Sequence, residues 1–147
     1  MSRIDDGLGT QISFGSQPSG TGPGITFWEK ELTPPGLDGG GENDITTLRN
    51  TTYRTRAPKQ LLTLTEMTLT VSYDAQFYDD IVAMALTNQA ITITFPDGAT
   101  LLFYGWLDKF IPGPIAEGAQ PTADVTIIPS NVDPADGSEA APVYTAA

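Results

Sequence analysis

The chain has no cysteine and no histidine. The first absence excludes disulfides and thiolate metal sites; the second excludes imidazole-activated nucleophiles and histidine pH switches. Enzyme chemistry is thereby reduced to carboxylate pairs. Cations are also scarce, 7 Lys and Arg against 18 Asp and Glu, for a formal charge of −11. Gripping nucleic acid takes clustered cations that release counterions, so a surface this acidic is unsuited to it, although DNA can pass without adhering. No stretch approaches the roughly 20 apolar residues of a membrane span. The opening MSRIDDGLGTQ has neither the apolar run nor the cleavage site of a signal peptide. The expectation is a soluble protein made in a cytoplasm, with no membrane contact, metal or cofactor.

What is present points to β structure. A chain of 147 residues is the size of one domain, and at that size folding buries roughly 68–70 % of the unfolded surface. Apolar residues alternate with threonines at period 2 in several places. TQISFGS sets Ile12 and Phe14 on one face, and GITFWEKEL reads as a second half-buried strand with a charged end. Residues 61–73 read as one long strand, Leu62 and Leu64 in phase, then Met67, Leu69, Val71 and Tyr73 one residue later. The slip at Thr65–Glu66 suggests a β-bulge, and the opposite face is hydroxyl: Thr63, Thr68, Thr70 and Ser72. DAQFYDDIVAMALT is the one expected helix, with Asp74 as N-cap, Asp79 and Asp80 early, and Phe77, Ile81, Met84 and Ala85 toward the core. AITITF and TLLFYGWLDKF form a hairpin about Asp97–Gly98, and TADVTIIP is the last strand, with Val125 and Ile127 inward. The segment 33–58 has no periodicity, and the tail after Pro129 is small, acidic and proline-containing. The tail reads as mobile or as an arm that orders on a partner. The domain reading is 1–131 with a long assembly loop at 34–60, then a tail or arm at 132–147.

Candidate chemistry is thin. Asp79 and Asp80 diverge on a helix and read as N-terminal charge. Glu29 and Glu31 share an expected strand face and could form an acid/base pair, against the plainer reading of an exposed acidic strand end. DGGGEND and DPADG hold carboxylates near glycine but lack the alternating ligands and closing glutamate of a calcium loop. Asn50-Thr51-Thr52 has the glycosylation pattern without a secretory signal, and PSGTGPG lacks the lysine of a phosphate loop. Trp28, Tyr104 and Trp106 are either core aromatics or the sugar-stacking platform of a monomeric carbohydrate-binding module.

One feature stands apart. Arg49, Arg54, Arg56 and Lys59 are four of the 7 cations, with no acid from the first to the last; removing them from −11 leaves the rest of the chain at −15. A positive segment on a negative molecule can dock on a second copy, head to tail, and propagate as a ring or filament. It can equally fold back on its own acidic sheet.

NTTYRTRAPKQL, VSYDAQFYDDIVAMA, ITITFPDGATLLFYGWLDKFIPG and EGAQPTADVTIIPSN, in that order over residues 44–131, resemble the major tail tube proteins of long non-contractile bacteriophage tails. The first forty residues carry little of the likeness. The resemblance implies a mainly β fold, a β-sandwich or small barrel with one flanking helix, a long inter-strand loop and extended termini. It implies a structural, non-enzymatic subunit of the virion tail, made in the bacterial host cytoplasm. Six copies would close into a ring, and rings would stack into a tube that conducts DNA during ejection, with tail tip, tape measure and tail terminator proteins as partners. Arg49, Tyr53, Arg54, Arg56 and Lys59 would make inter-subunit contacts. Thr63, Glu66, Thr68 and Thr70 would face an acidic lumen, because a cation there would bind phosphate and act as a brake. A tube protein of a contractile tail or secretion machine would share these features.

Overall fold

The computed structural model describes residues 8–15, 25–26, 29–73 and 78–146. Trp28, Asp74 and Phe77 lie outside that set, as do the side chains of Asp80 and Met84. Among the described residues there are β1 (Gln11–Gly15), β2 (Ile25–Thr26), β3 (Glu29–Thr33), β4 (Leu37–Asp38), β5 (Glu42–Asp44), β6 (Arg56–Pro58), β7 (Thr63–Leu64), β8 (Met67–Ser72), α1 (Tyr78–Met84), β9 (Gln89–Thr94), β10 (Thr100–Pro112), β11 (Thr122–Pro129) and β12 (Val143–Thr145).

The main sheet runs β2-β1-β9-β10-β11-β8-β3, with β12 also on β10, every described pairing in it being antiparallel. It is curled into a half-barrel. Successive side chains of a strand point to opposite faces, so period-2 sequence becomes one buried face. Ile12, Phe14, Ile91, Ile93, Phe103, Leu107, Val125, Ile127, Met67, Leu69 and Val71 fill the interior. Ile81 of α1 caps it, and Ala85 packs at its margin. Burying each large aliphatic side chain contributes about 1.5–3 kcal/mol. Across β9, β10 and β11 there is room for one residue type only at Gly105: a Cβ there would sit 2.6 Å from the Ile128 carbonyl oxygen.

Curling brings the two ends of the sheet together. β2 covers only Ser13 and Phe14 of β1, and the Ile12 N–H donates instead to Glu29 Oε1 of β3 at 2.8 Å.

The hairpin at Asp97–Gly98 forms as expected. Gly98 has φ 91°, its N–H donates to Phe95 O at 3.0 Å, and Asp97 Oδ1 accepts the Ala99 N–H. Four expectations are corrected. GITFWEKEL does not keep one partner: β2 pairs with β1 and β3 pairs with β8, while Phe27 and Trp28 between them lie outside the described residues. Alternation reports which face is buried, not which strand lies alongside, so a change of partner leaves it intact. Residues 61–73 are not one strand either. Thr65 exchanges hydrogen bonds with Gly36, its N–H donating to Gly36 O at 2.8 Å and its hydroxyl accepting the Gly36 N–H at 2.7 Å. That turns the chain between β7 and β8, so the phase slip is a strand boundary; the 13-residue strand is β10. The segment 33–58, without periodicity and so expected as a loop, contains paired strands. Finally, β11 is not the last strand, because Val143–Thr145 returns to β10.

Candidate assembly arm and hydroxyl face

Residues 34–66 form an arm of two stacked ladders. At its root Leu37 pairs with Leu64 and Asp38 with Thr63; further out Glu42, Asn43 and Asp44 pair with Pro58, Ala57 and Arg56. No residue of this stretch is buried. A ladder without a buried face gains little from the hydrophobic effect and is held by hydrogen bonds and turn chemistry.

The tip supplies that chemistry. Ile45 N–H donates to Thr55 O at 3.0 Å, and the Thr46 hydroxyl accepts the Thr55 N–H at 3.0 Å. Asn50 closes the end of the loop: its Oδ1 accepts the Thr47 N–H and its Nδ2 donates to Tyr53 O at 2.8 Å. This order is built from Thr, Asn and backbone, which leaves the apolar side chains pointing outward. Leu48 has its whole side chain in solvent, Tyr53 is 81 % exposed and Ile45 is 55 % exposed. Large apolar groups clustered on an otherwise polar projection mark an interaction site.

The basic cluster divides. Arg54 Nη1 lies 3.3 Å from Asp44 Oδ2 and Arg56 Nε lies 2.8 Å from Glu42 Oε2, both across the arm. Neither Arg49 nor Lys59 has an ion pair among the described residues. Hydrogen bonds from the Thr46 hydroxyl and amide, and more weakly from Arg54, hold the Asp44 carboxyl below its ordinary value. Half of the positive charge that looked available to another molecule is therefore answered within the arm.

Beside the arm, the outer face of β8 presents Thr68 and Thr70. Register sets Thr33 and Glu31 of β3 on one side of them and Thr126 and Asp124 of β11 on the other. The Thr70 hydroxyl donates to Asp124 Oδ1 at 3.2 Å. Lys109 of β10 is opposite Thr126 and shares this face, so two carboxylates stand against one cation. The four expected lumen residues do not form one row: Thr68 and Thr70 are on this face, Thr63 is in the root of the arm, and Glu66 is exposed in the break before β8.

Glu29 and Glu31 are not a pair. The register shift between them sets Glu29 opposite buried Val71 and Glu31 opposite Thr70, so a bulge sends the carboxylates to different faces. The aspartates of the glycine-rich stretches are engaged in their own turns: Asp38 Oδ1 accepts the Gly40 N–H, Asp133 Oδ1 the Ala135 N–H, and Asp136 Oδ1 the Ser138 N–H and hydroxyl. Tyr104 and Trp106 lie on the outer side of β10, half-buried. Sequence reasoning missed Asp124 and Glu31 on the hydroxyl face. Asp124 had a signal in being the one charge in an alternating strand; Glu31 had none, since the bulge that turns it outward is a property of pairing.

No protein-family model and no curated protein matches the sequence. The fold, however, matches solved structures over almost the whole chain. A chain of the anti-feeding prophage baseplate, 6-fold symmetrised, superposes with a TM-score of 0.67 at 8 % identity, covering 99 % of this chain and 98 % of that one. A chain from the tail of the empty GTA particle, refined with C6 symmetry, gives 0.62 at 11 %, over 97 % and 100 %. A chain of the PVC sheath–tube complex, an extracellular contractile injection system in the extended state, gives 0.64 at 11 %, over 99 % and 93 %. At such identities what is shared is the fold alone, one found in chains of tail, baseplate and sheath–tube assemblies. It does not separate long non-contractile tails from contractile systems.

Proposed function

We propose that this protein is a structural subunit of the tail tube of a phage or phage-like particle, six copies forming a ring and rings stacking through the arm. The observation that carries this reading is the arm itself: a ladder with no buried residue, ending in an ordered tip that holds Leu48 and Tyr53 out in solvent. A folded monomer gains nothing from such a tip; a neighbour that covers it gains apolar burial. The tail-type fold supports the same reading. The Thr68, Thr70, Thr126 face, where Glu31 and Asp124 outweigh Lys109, is the surface suited to a DNA-conducting bore, since a face without clustered cations gains nothing from counterion release. Arg49 and Lys59 are the cations available to contacts between copies. Tail tip, tape measure and terminator proteins are the expected partners, and the virion tail the expected location.

A contractile tail or injection machine is the second reading, favoured by the likeness to the sheath–tube complex; co-purification of a sheath protein separates the two. The tip is tested with Leu48→Asp and Tyr53→Ala. Each variant should keep the wild-type melting temperature and stay a single subunit on sedimentation at concentrations where wild type forms large species. Variants that assemble like wild type contradict the proposed role of the arm.

A further inference from the structure

β12 occupies a position that the main fold does not require. β11 covers β10 only from Gly105 onward, and Val143–Thr145 fills the same edge beyond it, pairing Thr100 with Thr145, Leu101 with Tyr144 and Leu102 with Val143. All three strand residues are exposed, and no residue of 131–146 is buried. The segment is held by polar contacts: Val132 bridges to Glu139, Ala140 N–H donates to Asn131 O at 2.8 Å, and Asn88 Nδ2 donates to Val132 O at 2.8 Å.

Its root is a left-handed bend. Asn131, where the chain leaves β11, has φ 55°, a conformation that asparagine adopts more readily than other side chains with a Cβ. Its Oδ1 is buried and has no hydrogen-bond partner, and an orphaned buried acceptor is unfavourable. That cost belongs to the closed segment, because an opened chain gives the Oδ1 access to water. Folded back, the segment 139–142 lies against Leu37, Leu61 and Leu62 at the root of the arm, forming one wall of a shallow hollow. Those leucines are 68–81 % exposed even so.

We infer that the C-terminal segment is an exchangeable latch: closed on its own β10 in the free subunit, it opens at Asn131 during assembly and delivers β12 to the Thr100–Leu102 edge of a second copy. The occupant is the same strand from another copy because the edge already accepts that sequence in register, so exchange keeps the β10–β12 pairing and gives up only the exposed contacts of the 131–140 turn. Residues 131–142, extended at ~3.3–3.6 Å each, reach roughly 40 Å, enough to cross to an adjoining subunit. Opening also uncovers the leucines at the arm root. The inference rests on the assembly reading above, which it deepens.

The chain has no native cysteine, so single-cysteine variants report the exchange directly. Thr100→Cys and Thr145→Cys chains, distinguishable in mass, are mixed at assembling concentration, oxidised and run without reductant. Directly opposed strand residues have Cα atoms about 4.5–5.5 Å apart, within disulfide reach. The expected result is a mixed covalent dimer at least tenfold above the dimers of either variant alone. The doubly substituted chain, oxidised in dilute solution to lock the latch shut, should fail to assemble and recover on reduction. Wild-type tubes without the mixed dimer, or assembly of the locked chain, would overturn the latch and leave the tube reading standing. A wild type that never associates would overturn both. Leu102→Cys with Val143→Cys repeats the test if the threonine pair lowers the melting temperature.

Discussion

The Glu29 carboxylate accepts the Ile12 amide N–H at 2.8 Å across the seam where β3 meets β1. A side chain there does what a neighbouring strand does elsewhere, and it keeps a backbone donor from being orphaned where the sheet ends meet. Glu29→Ala should lower stability in urea by about 1–3 kcal/mol, while Glu29→Gln, which retains an acceptor oxygen, should lose less. An alanine variant with the wild-type midpoint would show that the seam needs no acceptor.

Gly105 is fixed by distance. A methyl group there would lie 2.6 Å from Ile128 O and 3.1 Å from Pro129 Cα, both backbone atoms of the adjoining strand. Neither can move aside as a side chain can, so Gly105→Ala should destabilise by about 1–3 kcal/mol, read as a lower urea midpoint. An unchanged midpoint would contradict this packing.

The charge pairs of the arm make a separable prediction. Arg54→Glu sets two carboxylates face to face at Asp44 and should block assembly with little change in the subunit's melting temperature, since exposed pairs contribute about 0–1 kcal/mol. Reversing both partners, Asp44→Arg with Arg54→Glu, should restore assembly if the pair acts within the arm. Failure of the double reversal, measured by sedimentation, would mean that Arg54 meets another copy instead.

Acid should loosen the tip late. Asp44 is held below the ordinary 3.8 by Thr46 first and Arg54 last. A carboxylate with a depressed folded value contributes order that is complete above the unfolded value and is lost as pH falls through the folded one. The Asp44 carboxyl and the Thr46 amide, followed together by NMR, should therefore titrate below 3.8. A midpoint at or above that value would contradict the tip geometry.

The interior was legible because burial has a period. Ile12, Phe14, Ile91, Ile93, Val125 and Ile127 alternate in sequence, and all are buried. The helix was legible in kind, with α1 described over Tyr78–Met84 and ending earlier than DAQFYDDIVAMALT suggests; residues 74–77 lie outside the described residues. The arm was legible only as a charge anomaly: its strands bury nothing, so they carry no alternation, and Glu42 and Asp44 lie far enough back in sequence that their pairing with Arg56 and Arg54 cannot be seen without the ladder. Likewise Glu29 and Glu31 looked able to share a face because a bulge cannot be seen from one strand alone. β12 was hidden because three exposed residues in an acidic tail carry no hydrophobic signal, although their partner edge on β10 is well defined. The hydroxyl face was half legible, since Thr68 and Thr70 were visible in one strand while Asp124 and Glu31 join them only through register.

Whether copies of this chain stack into a tube is decided by electron microscopy of the concentrated, purified protein. Hollow tubes or rings with six-fold symmetry are expected, with the arm of each subunit in contact with another ring. A population of single subunits at every concentration and ionic strength, with or without a nucleating tail-tip complex, would contradict stacking.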